Sequence, residues 1–244
     1  IKNLDLSCIY IDFKDSDLSS FIKLKVLDLP TIENLTADLF NNFPPQVKAS
    51  TRSLDLSSTD ITGFDLSDFI NLENLSLSET KGLTPALFNS IPEPAKATIK
   101  TLDLSNMTIP AGFDFKDFKS LETLNLSDVE GLTTEQFESI PNKALIKTLD
   151  LSYVNDVIGF DFKGFDKLET LIVHETKLSA AQYNELPDSP KSSMNYLNLS
   201  GIDVTGLNLL GFTSLEYLDL SNTTGSVEDV FNSIPAKAKA SIST

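Results

Sequence analysis

His174 is the only histidine among 244 residues and Cys8 the only cysteine. They bound the catalytic chemistry open to the chain, because a serine or cysteine nucleophile needs a base within hydrogen-bond reach. A second set with chemical potential is the series Asp5, Asp28, Asp55, Asp103, Asp150 and Asp219, each lying between two leucines. Carboxylates drawn together would suit calcium, which takes several convergent oxygens. The third set is a departure from pattern: TLIVHETKL at 170–178 carries Ile172 and His174 where NLSLSETKGL at 74–83 carries Ser76 and Ser78. What any of these residues can do depends on the elements that place them.

Leucine pairs at 4/6, 54/56, 102/104, 149/151 and 197/199 recur at intervals of 50, 48, 47 and 48 residues. A second series lies between them, at Leu27/Leu29, Leu75/Leu77, Leu124/Leu126, Leu171/Val173 and Leu218/Leu220. Ten units of alternating length follow, one kind of about 22 and the other of about 26 residues, and such self-similarity overrides the usual domain count. Residues 1–244 read as one repeat domain without a linker. Alternate side chains of a strand face opposite ways, so the paired leucines point inward and the residue between them points out. Phe21, Phe69, Phe118, Phe165 and Phe212 form one aromatic column, and Phe40, Phe88, Phe137, Tyr183 and Phe231 form another. Stacked units bury a core that no single unit could bury alone. The longer units also carry helix signals: Thr84 before Pro85, and capping-box spacing at Thr133/Gln136 and Ser179/Gln182. One short helix is expected in each, ended by Pro44, Pro92, Pro141, Pro187 or Pro235.

Units of the longer kind begin L-x-x-L-x-L, as in LENLSL at 72–77, LETLNL at 121–126 and LEYLDL at 215–220. With their lengths and their coverage of the whole chain, they resemble the leucine-rich repeat family. The resemblance implies an α/β solenoid with a ten-strand parallel sheet on a curved, concave side and short helices or turns on the convex side. It also implies a non-catalytic protein-recognition module, and it extends to secreted or surface proteins of pathogens as well as to cytoplasmic adaptors. One position departs from the family. Five residues after the middle leucine, where Asn or Cys is usual, stand Ile9, Ile32, Thr59, Thr80, Met107, Val129, Val154, Thr176, Ile202 and Thr223.

This register sorts the chemistry. Cys8 and His174 fall seven strands apart, roughly 34 Å, which excludes a Cys-His pair. Serines near His174, such as Ser200 and Ser221, belong to the repeating L-x-L-S pattern. Asp5, Asp28 and Asp55 form a line rather than a cage. Lys2, Lys25, Arg52, Lys100 and Lys147 lie three residues before five of the aspartates, so a solvated, partly paired ladder is the expected reading. No cofactor or metal is expected. Two residues before the ladder the outward positions are mostly small, as at Thr101, Thr123, Thr148 and Thr170, until Tyr196 and Tyr217. These tyrosines, with Ile172 and His174 on the strand beside them and the flanking Asp150 and Asp219, are the candidate partner contacts.

A net charge of −16 opposes nucleic acid and anionic lipid and favours a protein partner with a basic patch. No apolar run is long enough to suggest membrane insertion. Asn34, Asn74, Asn106, Asn125, Asn198 and Asn222 satisfy N-x-S/T and would be glycan acceptors in a secretory pathway, although L-N-L-S creates two of them automatically. The alternative to recognition is a structural coat that self-associates. IKNLDLS opens almost directly into a strand, and IPAKAKASIST stops one residue before the next strand leucine. The expectation is therefore a piece of a longer repeat protein without caps, or ends covered by another molecule, with end-to-end association.

Overall fold

The computed structural model describes residues 1–6, 21, 23–32, 35–155, 157 and 159–242. Cys8, Ile9 and Asn34 lie outside the described residues, so expectations resting on them stand as sequence readings. Ten three-residue strands follow chain order in a parallel sheet: β1 Asn3–Asp5, β2 Val26–Asp28, β3 Ser53–Asp55, β4 Asn74–Ser76, β5 Thr101–Asp103, β6 Thr123–Asn125, β7 Thr148–Asp150, β8 Thr170–Ile172, β9 Tyr196–Asn198 and β10 Tyr217–Asp219. The chain divides into two units, Ile1–Leu121 and Glu122–Thr244.

In the first unit the leucines pair in register, Leu4 with Leu27, Leu27 with Leu54, Leu54 with Leu75 and Leu75 with Leu102. In the second, Leu124 pairs with Leu149, then Leu171, Leu197 and Leu218 in turn. Leu54, Leu102, Leu149 and Leu197 are buried, as the alternation requires. Leu4 is only half-buried, because β1 has a strand neighbour on one side alone.

The return segments hold more helix than the sequence suggests. Each of four longer units carries two short helices: α1 Ala37–Asn41 with α2 Pro45–Ser50, α3 Pro85–Ser90 with α4 Glu93–Thr98, α6 Ala180–Asn184 with α7 Asp188–Ser193, and α8 Val227–Ser233 with α9 Ala236–Ser241. The remaining longer unit has α5 Thr134–Glu138 followed by a single 3₁₀ turn, Lys143–Leu145. Pro44, Pro92, Pro187 and Pro235 end the first helix and cap the second, at φ of −53°, −58°, −57° and −59°. Proline's fixed φ suits a helix start, where its missing N–H leaves no bond unmade. The first-helix caps are as expected. Thr84 accepts from the Leu87 N–H, and Thr133 and Ser179 form complete capping boxes.

Against these helices pack the aromatic columns. Phe40 stacks on Phe64 at 4.3 Å, and Phe137 stacks on Phe160 at 4.2 Å and lies 5.9 Å from Phe165. Phe231 departs from its column and is 51% exposed. Phe40, Phe88 and Phe137 lie against rings of the following coil, and Phe231 has no such ring against it among the described residues. The missing amide ladder has a physical substitute. Thr80, Thr176 and Thr223 donate their hydroxyls to the carbonyls of Leu77, Val173 and Leu220, each at 2.8 Å. Ile32, Met107, Val129, Val154 and Ile202 occupy the same column in other units as buried apolar groups.

Tyr183 occupies the phenylalanine column, yet its hydroxyl has no partner among the described groups. Burial pushes its phenol well above the ordinary value. An unsatisfied buried hydroxyl costs about 1–3 kcal/mol. Tyr183→Phe is therefore expected to raise unfolding stability by about 1 kcal/mol, measured by denaturant titration. An unchanged or lower midpoint would show that the hydroxyl is satisfied in solution.

Candidate functional site

The outward row explains its own composition. The Oδ1 atoms of Asp55, Asp103, Asn125, Asp150, Asn198 and Asp219 accept the N–H two residues on, at 2.8, 2.9, 3.0, 2.8, 2.9 and 2.8 Å. Asp103 and Asp150 also receive the hydroxyls of Ser105 and Ser152, at 2.7 and 2.5 Å. These are Asx turns, which bend the chain out of each strand and account for Asp and Asn at a solvent-facing position. Three of the positively charged flank residues pair with glutamates of the same flank. Arg52 and Lys100 both bridge to Glu73, and Lys147 meets Glu122 at 2.6 Å. Flank positions on neighbouring strands are nearer to each other, about 4.8 Å, than to a residue three places along the same strand, about 10 Å.

Asp28 is the informative exception, since residue 30 is a proline and has no N–H to offer. Burial first, then the charges of Asp55 and Asp5, hold its carboxyl above the ordinary value. The folded chain thus binds this proton more tightly than the unfolded chain. The resulting stability is fully present below the unfolded carboxyl's pKa and is lost as pH rises through the raised value. Asp28→Asn should raise the thermal midpoint at pH 7 and leave it unchanged near pH 3, about a unit below the free carboxyl's value. Equal effects at both pH values would refute the electrostatic cause. Among the described residues, no group of three or more His, Cys, Asp or Glu is placed to hold a metal ion.

With or without an Asx turn, a residue at positive φ stands three places after the ladder position: Thr31, Ser58, Glu79, Asn106, Asp128, Tyr153, Glu175, Gly201 and Asn222. Small, polar or glycine residues suit this left-handed region, and a bulky ring does not. Tyr153 nonetheless adopts it at φ 61° and is 48% exposed. Its backbone N–H donates to the His174 carbonyl at 2.8 Å, and its hydroxyl lies 2.8 Å from His174 Nε2. The two rings meet edge to face at 4.8 Å and 89°. The other imidazole nitrogen, Nδ1, is hydrogen-bonded to Ser200 Oγ. A serine, a histidine and a tyrosine in this order suggest an activated nucleophile, but Ser200 is 2% exposed and offers no approach to a substrate. The arrangement fixes the imidazole.

Tyr196 and Tyr217 are in register on β9 and β10, and their rings stack at 4.4 Å and 3°. The neighbouring Tyr196, burial and the Asp219 carboxylate push the Tyr217 phenol above its ordinary value, so this ring is uncharged at neutral pH. The sequence-derived set therefore forms two groups. Tyr196 and Tyr217 stand at the strand starts, while His174 stands past the strand end with Tyr153 and Ser200. Ile172 lies between, half-buried on β8 and in register with Asp150 and Asn198. Isoleucine cannot accept the Asx hydrogen bond, so Ile172 and His174 replace a turn-forming pair with an apolar side chain and an anchored ring. Asp150 and Asp219 each give one oxygen to their own turns. Tyr153 was missed by sequence reasoning, although a tyrosine three places after Asp150 stands out against Ser58, Glu79, Asn106 and Asp128.

No protein-family model matches the chain, and no curated protein matches it. Among solved structures, it is similar to the functional domain of InlJ from Listeria monocytogenes, described as including a cysteine ladder, with 19% identity and a TM-score of 0.57 over 91% of this chain. It is also similar to the internalin InlF from the same organism, with 14% identity and a TM-score of 0.58 over 87% of this chain. The chain spans 49% of the first structure and 65% of the second. With a single cysteine, it carries no cysteine ladder. The likeness is one of fold, a parallel solenoid of the leucine-rich repeat type.

Proposed function

We propose that residues 1–244 act as one non-catalytic recognition domain, binding a protein partner through the outward, concave face of the sheet at Tyr153, Ile172, His174, Tyr196 and Tyr217. The observation that carries this reading is Tyr153, a half-exposed aromatic ring held at φ 61° where its counterparts are Thr, Ser, Asn, Asp, Glu or Gly. The repeat imposes this backbone conformation, and a bulky ring kept in it is the kind of outlier that clusters at functional sites. Acidic groups at Asp150 and Asp219 favour a basic partner surface. A secreted or surface location accords with the fold likeness to Listeria proteins. No helix among the described residues is long and apolar enough to cross a membrane.

Tyr153→Asn tests the reading. Asparagine tolerates the left-handed region, so stability should rise by about 1 kcal/mol, while affinity for a saturable partner recovered by cross-linking should fall. Loss of stability with unchanged affinity would make Tyr153 a packing residue. A self-associating coat is the second reading, favoured by the exposed apolar side chains Leu210 and Phe231. Sedimentation velocity across a wide concentration range separates the two. Growth into open-ended assemblies without a partner supports the coat.

A further inference from the structure

The stacked tyrosines define more than an apolar patch. Their centroids are 4.4 Å apart and their planes differ by 3°, close to the spacing of neighbouring strands, about 4.8 Å. Since Tyr196 and Tyr217 are in register, the line joining the rings runs across the sheet and the ring planes run along the strands. One face of Tyr196 is covered by Tyr217. Its other face looks toward β8, where the residue in register is Thr170, followed by Thr148 on β7. Neither threonine is long enough to cover a phenol ring. The result is a slot with an aromatic wall and a threonine floor, entirely within the second unit.

Carboxylates outnumber cations around the slot, where Glu122 and Glu169 both act on Lys147. Glu169, immediately before Thr170, is exposed, and Asp150 stands on β7 beside Ile172. At the flank of β7, Lys147 is already bound to Glu122 at 2.6 Å. A cation entering over Thr170 thus meets a π face on one side and carboxylates on the others. Guanidinium suits this setting better than ammonium, because its plane stacks on a ring while its edge forks to a carboxylate.

We propose that this slot receives an arginine side chain of the protein partner, stacked on the free face of Tyr196 and paired with Glu169 or Asp150. The inference rests on the recognition reading above and gives that partner a chemical feature. Three capped tripeptides serve as probes, Gly-Arg-Gly, Gly-Lys-Gly and Gly-citrulline-Gly, titrated into the isotope-labelled domain and followed by NMR.

The arginine peptide should produce saturable shifts at the Tyr196 ring and the Thr170 amide, with ring-current shifts on its own side-chain methylenes. Lysine should bind more weakly, and uncharged citrulline should not bind detectably. Glu169→Gln should weaken the arginine peptide by about two- to fivefold. Tyr196→Leu, which keeps bulk without a π face, should weaken it by about two- to fivefold. Thr170→Tyr, which extends the stack and fills the slot, should abolish the shifts with thermal stability retained. Equal binding of citrulline, or no shift at Tyr196 with arginine, overturns the inference in the unmodified domain. If the probe fails while Tyr196→Ala still weakens the partner, only the arginine assignment falls. If the probe binds while Tyr196→Ala leaves partner affinity unchanged, the slot stands and the recognition reading falls.

Discussion

Phe137→Ala is expected to lower unfolding stability by about 3–5 kcal/mol, the cost of deleting a buried phenylalanine together with the cavity left behind. Phe137 is fully buried, stacks on Phe160 at 4.2 Å and lies 5.9 Å from Phe165. The Lys143 ammonium lies 5.3 Å and 5.4 Å from the Phe137 and Phe165 ring centroids. One ring thus joins two successive coils and a cation, and its loss removes contacts between coils as well as within one. In a solenoid the interface between neighbours carries much of the stability, so cooperativity should suffer along with the midpoint. Phe231→Ala provides the comparison. That ring is 51% exposed, and its truncation should cost less than about 1 kcal/mol. Denaturant unfolding of both variants checks the contrast. Similar losses at the two positions would mean that the aromatic column is not what couples the coils.

The strands were legible because apolar pairs with a two-residue spacing, leucine in all but Val173, recur in every unit, and that spacing has one structural meaning in a repeat. The second helix of the longer units was hidden because proline serves equally as the end of one helix and the start of the next. Pro92 and Pro235, each directly after the C-cap of one helix, are the N-caps of the next. Strand alternation placed the aspartate row facing outward, but the reason for its composition was incomplete. Its charge suggested surface pairing, whereas the Asp-x-Ser spacing closes an Asx turn whose partner is the chain itself. That spacing was visible, and Pro30 marks a turn where an aspartate is present and the spacing fails. The grouping of His174 with Tyr153 rather than with Tyr196 was beyond the sequence. It depends on how far each Asx turn carries the chain past the strand, and on a left-handed conformation that few sequences would assign to tyrosine.

Tyr196→Ala and Tyr217→Ala are each expected to weaken partner binding by about 1–3 kcal/mol, the range of an aromatic contact residue. Thr123→Ala, in the corresponding row on β6, should change binding by less than about 0.5 kcal/mol. The tyrosine stack complicates the reading in a useful way. Removing either ring also removes the ring-ring contact, about 0.5–1.5 kcal/mol of folding stability, so affinity must be measured where both variants remain folded. The double variant then separates the terms. If the rings act as one platform, removing the second adds little beyond the first, because the platform is already broken. If each ring meets the partner independently, the two losses add. Additive losses would leave Tyr217 a contact in its own right, whereas a double variant no worse than Tyr196→Ala would make Tyr217 the support that holds Tyr196 upright over the threonine floor. Small and equal effects at Tyr196, Tyr217 and Thr123 would reduce the aromatic pair to variation between repeats.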